Sequence, residues 1–162
     1  MTKVKTIQKP KLTEKQRDIL LKTPLYKRIG LSLREYSNED ILKVQEKEFA
    51  QRFTDLGYSI RWISRAQPSK NGGYIPTNDF EWNGIEWELK SPEKARYGGI
   101  KALIKRGASL GKENFIIDLK GALLQNKLSK QLSLYNKNNP ENKISRLLIL
   151  DREGLKEIVL QK

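Results

Sequence analysis

The sequence predicts a mixed α/β domain, a β-sheet flanked by helices, and three observations carry that expectation. Residues 78–90, NDFEWNGIEWELK, alternate apolar and polar side chains on both sides of an Asn83-Gly84 turn signal. Phe115-Ile116-Ile117-Asp118-Leu119 and Arg146-Leu147-Leu148-Ile149-Leu150 are apolar runs of the length of buried strands. Helical patterns stand before, between and after these segments, an alternation that builds sheets covered by helices. At 162 residues the chain is long enough for one domain with a workable core.

Taken in order, residues 1–11 are basic and unpatterned, and a flexible arm is expected there. Thr13-Glu14-Lys15-Gln16 has capping-box spacing and opens a short helix to about Lys22, before Pro24. Residues 24–36 read as irregular, a linker or a docked extension, so residues 1–36 form a basic N-terminal extension and residues 37–162 the main domain. A stronger helix is expected over residues 38–56, closed by Gly57, with an apolar stripe of Leu42, Phe49, Phe53 and Leu56. Glu46 falls inside that stripe. It either reaches solvent from the stripe's edge or points inward beside other acids, with Glu48 a weaker substitute for the second role. Residues 58–63 follow as a strand, and residues 67–76 as a loop rich in Gly and Pro.

After the hairpin, Ser91-Pro92-Glu93 marks a helix start, with a helix expected over residues 99–110 carrying Lys101, Lys105 and Arg106. Residues 115–119 form a strand, 122–135 a helix, and 146–150 and 157–160 two more strands around an Asp-Arg-Glu-Gly turn. No internal repeat or low-complexity tract is present.

The hairpin carries the chemistry. A two-residue type I′ turn at Asn83-Gly84 fixes the register, so Trp82 faces Ile85, Glu81 faces Glu86, Phe80 faces Trp87 and Asp79 faces Glu88. Paired residues share a face. Phe80, Trp82, Ile85, Trp87 and Leu89 therefore make an apolar plate, and Asp79, Glu81, Glu86, Glu88 and Lys90 project from the other side. Two carboxylates about 5 Å apart repel by roughly 3 kcal/mol at an effective dielectric of ~20. A solvated face is the bland explanation. The sharper one is that Asp79 and Glu88 hold a hard divalent cation through oxygen, with Lys90 orienting water or stabilising charge on a phosphoryl group. Phe80, Trp82 and Trp87 could stack on bases, but their common face favours core packing.

Composition limits the alternatives. Lys and Arg number 32 against 19 acids, a net charge of +13, which points to a polyanionic partner, nucleic acid before membrane. No apolar run has the length of a membrane span, and no signal-peptide pattern opens the chain. Absence of cysteine rules out thiolate metal sites. Absence of histidine rules out Ser-His and Cys-His catalysis and any imidazole general base. Hydrolysis would have to use carboxylates, lysine, tyrosine or a metal ion. Lys101, Lys105, Arg106 and Lys112 are the candidates to line a phosphate groove. Gly72-Gly73-Tyr74 lacks a complete phosphate-loop pattern and reads as an ordinary turn.

Asp79, followed on the next strand by Glu88-x-Lys90, resembles the PD-(D/E)XK nuclease superfamily. Asn78 stands where that pattern usually has proline, a position without a chemical role. The alternative frame Glu86-x-Glu88 supplies no lysine at the right spacing. The resemblance implies a restriction-endonuclease-like core, catalysis by Asp79, Glu88 and Lys90, and a divalent cation, Mg2+ first, held by Asp79 and Glu88. Glu46 would be a further ligand, since an acid on the first helix is common in that superfamily.

The order "LGYSIRW", the acidic hairpin ending in "WELKSP", a basic helix and "ENFIIDL" also resembles the C-terminal nuclease domain of CdiA-type contact-dependent growth inhibition toxins and related polymorphic toxins. That resemblance covers roughly residues 38–150. It implies a ribonuclease toxin acting on tRNA in the cytoplasm of a target cell, neutralised by a dedicated acidic immunity protein. A DNA endonuclease of phage, defence or repair origin is the alternative, and a catalytically silent nucleic-acid-binding module a third.

Overall fold

The computed structural model describes residues 4–30, 42–65, 69–73 and 76–162. Its contacts divide the chain into two compact units, residues 1–8 with 87–162, and residues 9–86. The boundary expected after residue 36 lies outside the described residues, as does the start of the helix expected from residue 38. No helix among the described residues is long and apolar enough to cross a membrane.

The first unit is built on a mixed sheet. Its strands are β1 (Val4–Thr6), β4 (Ile85–Lys90, entering this unit at Trp87), β5 (Asn114–Asp118), β6 (Arg146–Asp151) and β7 (Gly154–Ile158). They lie in the order β1-β7-β6-β5-β4, with β4, β5 and β6 parallel and β7 and β1 antiparallel to their neighbours. The arm expected at the N-terminus is thus a strand over Val4–Thr6. Three residues are too short to signal a strand by themselves, and pairing with β7 supplies the order.

Register decides which side chains share a face. Glu88 lies opposite Phe115, Phe115 opposite Leu147, and Leu147 opposite Ile158. Lys90, Ile117, Ile149 and Lys156 form the next row of the same face. Helix α4 (Tyr97–Ser109) and helix α5 (Asn126–Ser133) cover it, Ile100, Ile104, Leu128 and Leu132 closing over Phe115, Ile117, Leu147 and Ile149. Each such side chain contributes about 1.5–3 kcal/mol by leaving water. The expected helix over residues 122–135 is the shorter α5, followed by a turn of helix, α6 (Tyr135–Asn138). Ser91-Pro92-Glu93 does not start α4, whose first residue is Tyr97.

The second unit holds helices α1 (Glu14–Lys22), α2 (Leu25–Arg28) and α3 (Val44–Asp55) and strands β2 (Arg61–Trp62) and β3 (Phe80–Trp82). The capping box of α1 is formed, the Gln16 amide donating to Thr13 Oγ1 at 3.1 Å and the Thr13 amide to Gln16 Oε1 at 2.9 Å. Part of the stretch read as irregular after Pro24 is α2, tied to α3 by Arg28, which donates to Asp55 at 2.6 Å.

Rings form the core here. Phe53 stacks on Phe49 at 5.1 Å and on Tyr58 at 4.6 Å, and meets Trp82 edge-on at 5.3 Å. Trp62 stacks on Phe80 at 5.6 Å. Tryptophan and phenylalanine of the hairpin are therefore core, as their shared face required. The turn is the one the dipeptide demands, with Asn83 at φ 57° and Gly84 at φ 71°.

Candidate functional site

Strand β4 alternates as its sequence does: Trp87 and Leu89 are buried, while Glu88 and Lys90 are partly exposed on the helix-covered face. Two residues apart, they point the same way. The Lys90 ammonium lies 3.2 Å from Glu88 Oε2. A second ammonium, that of Lys112, lies 3.7 Å from Oε1. Glu88 Oε1 is sealed from solvent and has no hydrogen-bond partner. Desolvating a carboxylate oxygen without a donor is costly, so the arrangement is one that ordinary folding does not favour.

Lys112 was expected to line a phosphate groove beside the site together with Lys101, Lys105 and Arg106. Lys105 and Arg106 are exposed on α4, and Lys101 is half-buried with its ammonium 5.8 Å from the Tyr97 ring centre. Lys112 is separate from them, only 8% exposed and paired with Glu88.

In the second unit, Glu46 takes the inward position. It is 8% exposed while Glu48 is exposed, so the acid that interrupts the apolar stripe of α3 does not reach solvent from its edge. Its Oε1 accepts from the Lys43 amide at 2.8 Å, and its Oε2 accepts from Arg65. The same guanidinium stands 3.9 Å from Asp79 Oδ1 and 5.9 Å from the Trp62 ring centre. Arg65 had no signal in the sequence: it follows an apolar run that reads as a strand end, and only the fold sets it between two acids. The remaining hairpin acids are engaged elsewhere, Glu81 with Arg61 at 2.9 Å and Glu86 with the Asn78 side-chain amide at 3.2 Å.

Among the described residues, neither unit gathers three acidic side chains as a ligand set. What suits a hard cation is narrower. Glu88 Oε1 is a buried anionic oxygen without a hydrogen-bond donor, and a cation taken up there would have to compete with the Lys90 and Lys112 ammoniums. Glu46 and Asp79 share Arg65, so a cation taken up there would have to compete with that guanidinium.

No family model matches the chain, and no curated protein matches it. Among solved structures the chain is similar to the CdiA-CT/CdiI toxin and immunity complex from Burkholderia pseudomallei, at 16% identity. The likeness spans 73% of this chain and 83% of that one, with a TM-score of 0.49. A likeness of that size assigns this chain neither a family nor an activity.

Proposed function

We propose that the chain is a metal-dependent endonuclease that hydrolyses phosphodiester bonds in RNA, tRNA first, and acts as a growth-inhibiting toxin. The observation that carries the reading is Glu88, whose Oε1 is buried without a donor while Lys90 stands 3.2 Å from its Oε2. An acid-x-Lys pair on one strand face is what the nuclease pattern read from the sequence requires.

In this reading Glu88 holds the cation, and Asp79 and Glu46 are the further acids that the sequence resemblance implies. A divalent cation bound there supplies Lewis-acid polarisation of the phosphoryl group. Lys90 donates to a phosphoryl oxygen and stabilises the charge that grows on it during attack. The excess of basic side chains, including Lys101, Lys105 and Arg106 on α4, holds the polyanion. The toxin assignment and its acidic immunity partner rest on the sequence resemblance. A surface of +13 would speed capture by an acidic protein.

The test incubates the purified protein with total RNA and with plasmid DNA, in Mg2+ or in EDTA, beside Lys90→Ala. RNA cleavage that needs Mg2+ and Lys90 is expected. Cleavage of plasmid alone would move the assignment to DNA, and cleavage of neither would leave a binding module. Induced expression should arrest growth in wild type and not in Lys90→Ala. Arrest that persists in the variant would contradict the toxin reading.

A further inference from the structure

Strands β4, β5 and β6 run parallel, and open α/β sheets take ligands in crevices outside the carboxyl ends of such strands. Lys90 is the last residue of β4. Beyond that end, the connections into α4 and α5 border a cleft of about 460 Å3. Small-molecule sites span roughly 300–1,000 Å3. The lining holds two cations, Arg96 and Lys127, and no acid. Neither cation forms an ion pair among the described residues. The side-chain amides of Gln125 and Gln131, on the α5 side, make no hydrogen bond there either. Tyr97 adds an aromatic ring, held in place by packing on the core of the first unit.

Gly98 separates this cleft from an ordinary basic surface. It lies in the first turn of α4, where glycine weakens a helix relative to alanine. The fold does not require it: its backbone is not left-handed, and an added Cβ would meet nothing within 4 Å. Bare backbone in the wall of a cleft leaves room for a flat group to lie directly against it.

From this we propose that the cleft takes a single unstacked nucleotide of a single-stranded nucleic acid. Its base lies against Gly98 and Tyr97, its base edge meets the Gln125 and Gln131 amides, and its phosphates sit on Arg96 and Lys127. The inference rests on the nuclease reading for the polymer that carries this nucleotide. It adds a subsite that grips the strand beyond Lys90, distinct from the exposed cations further along α4.

The test measures binding of a short fluorescent single-stranded RNA, and of its abasic analogue, to the full chain carrying Lys90→Ala. Adding Gly98→Ala should weaken RNA binding about 5-fold or more, the lower end of the effect of one lost base stack. It should leave the abasic strand unaffected and hold or raise Tm, since alanine suits the helix better. Adding Arg96→Ala and Lys127→Ala together should instead lower the salt slope for both strands, by about 0.7 log units for each lost phosphate contact. Unchanged RNA binding by the Gly98→Ala protein, an equal loss for the abasic strand, or a lower Tm would each overturn the proposal. An unchanged salt slope without Arg96 and Lys127 would overturn it too. If these binding effects are found but the wild type cleaves neither RNA nor plasmid, the nuclease reading falls and the cleft stands.

Discussion

Glu88 and Asp151 are both acids on the same face of the same sheet, and each has a lysine within 3.2 Å. Their surroundings differ in completeness. Asp151 is saturated: Oδ2 accepts from Lys156 at 2.8 Å and from the Leu124 amide at 2.9 Å, and Oδ1 accepts from the Glu153 amide at 2.9 Å and the Gly154 amide at 3.2 Å. It ties the loop before α5 to the β6–β7 turn. Glu88 has an ammonium on each side and a buried oxygen with no donor. A structural carboxylate spends its lone pairs on its own chain, while one that serves a ligand keeps capacity in reserve.

The contrast can be broken by substitution. The largest effect should follow Lys90→Ala, which removes the group acting on the phosphoryl oxygen and should cut cleavage about 100-fold or more. Glu81→Ala should leave cleavage near wild type, since Glu81 pairs with Arg61 and not with the Glu88 group. If the two effects were exchanged, the acid-x-Lys frame would be wrong. Asp151→Ala leaves Lys156 with Glu153 alone and frees two backbone segments, and should cost about 2–4 kcal/mol in denaturant unfolding. A loss under 1 kcal/mol would make Asp151 dispensable.

The same pair sets a pH dependence. Burial alone would raise the Asp151 carboxyl, but the hydrogen bonds from Lys156, Leu124 and Glu153 outweigh it and hold the carboxyl below its usual 3.8. An acid depressed on folding stabilises above its unfolded value, and that contribution disappears as pH falls through the folded one. Wild type should therefore lose stability below about pH 4 more steeply than Asp151→Ala does. Parallel acid limbs in the two proteins would remove Asp151 as a cause.

Gly107→Ala sharpens the comparison from the other side. A Cβ there would lie 2.6 Å from Phe115 Cε2, and Phe115 is fully buried. The expected cost is about 1–3 kcal/mol of stability, read as a lowered midpoint in urea. Smallest of all, replacing Lys101, Lys105 and Arg106 together should flatten the salt dependence of binding by about 0.7–0.9 log units for each lost phosphate contact. An unchanged slope would put the polyanion elsewhere on the basic surface.

Much of this was legible in the sequence where a local rule has one strong solution. Asn83-Gly84 dictated the turn, alternation dictated the burial of Phe80, Trp82, Trp87 and Leu89 though Ile85 of the same face is only half-buried, and Thr13 with Gln16 dictated a helix start. Local signals missed what long-range pairing decides. Val4–Thr6 is a strand because β7 offers it an edge, and β2 is shorter than the apolar run from Tyr58 because its pairing with β3 extends over Arg61–Trp62. The burial of Lys112 had no local signal either, since the turn at Gly111 reverses the chain and brings a charged side chain inward. Arg65 gave no hint, since an arginine between two acids is recognised only when the fold brings Glu46 and Asp79 to it.

The most direct measurement compares Glu88→Gln with Asp151→Asn, recording cleavage and unfolding free energy for each at a temperature where both remain folded. The account predicts that Glu88→Gln loses cleavage about 100-fold or more, whereas Asp151→Asn loses stability and cleaves within a few-fold of wild type. Full cleavage by Glu88→Gln would contradict it.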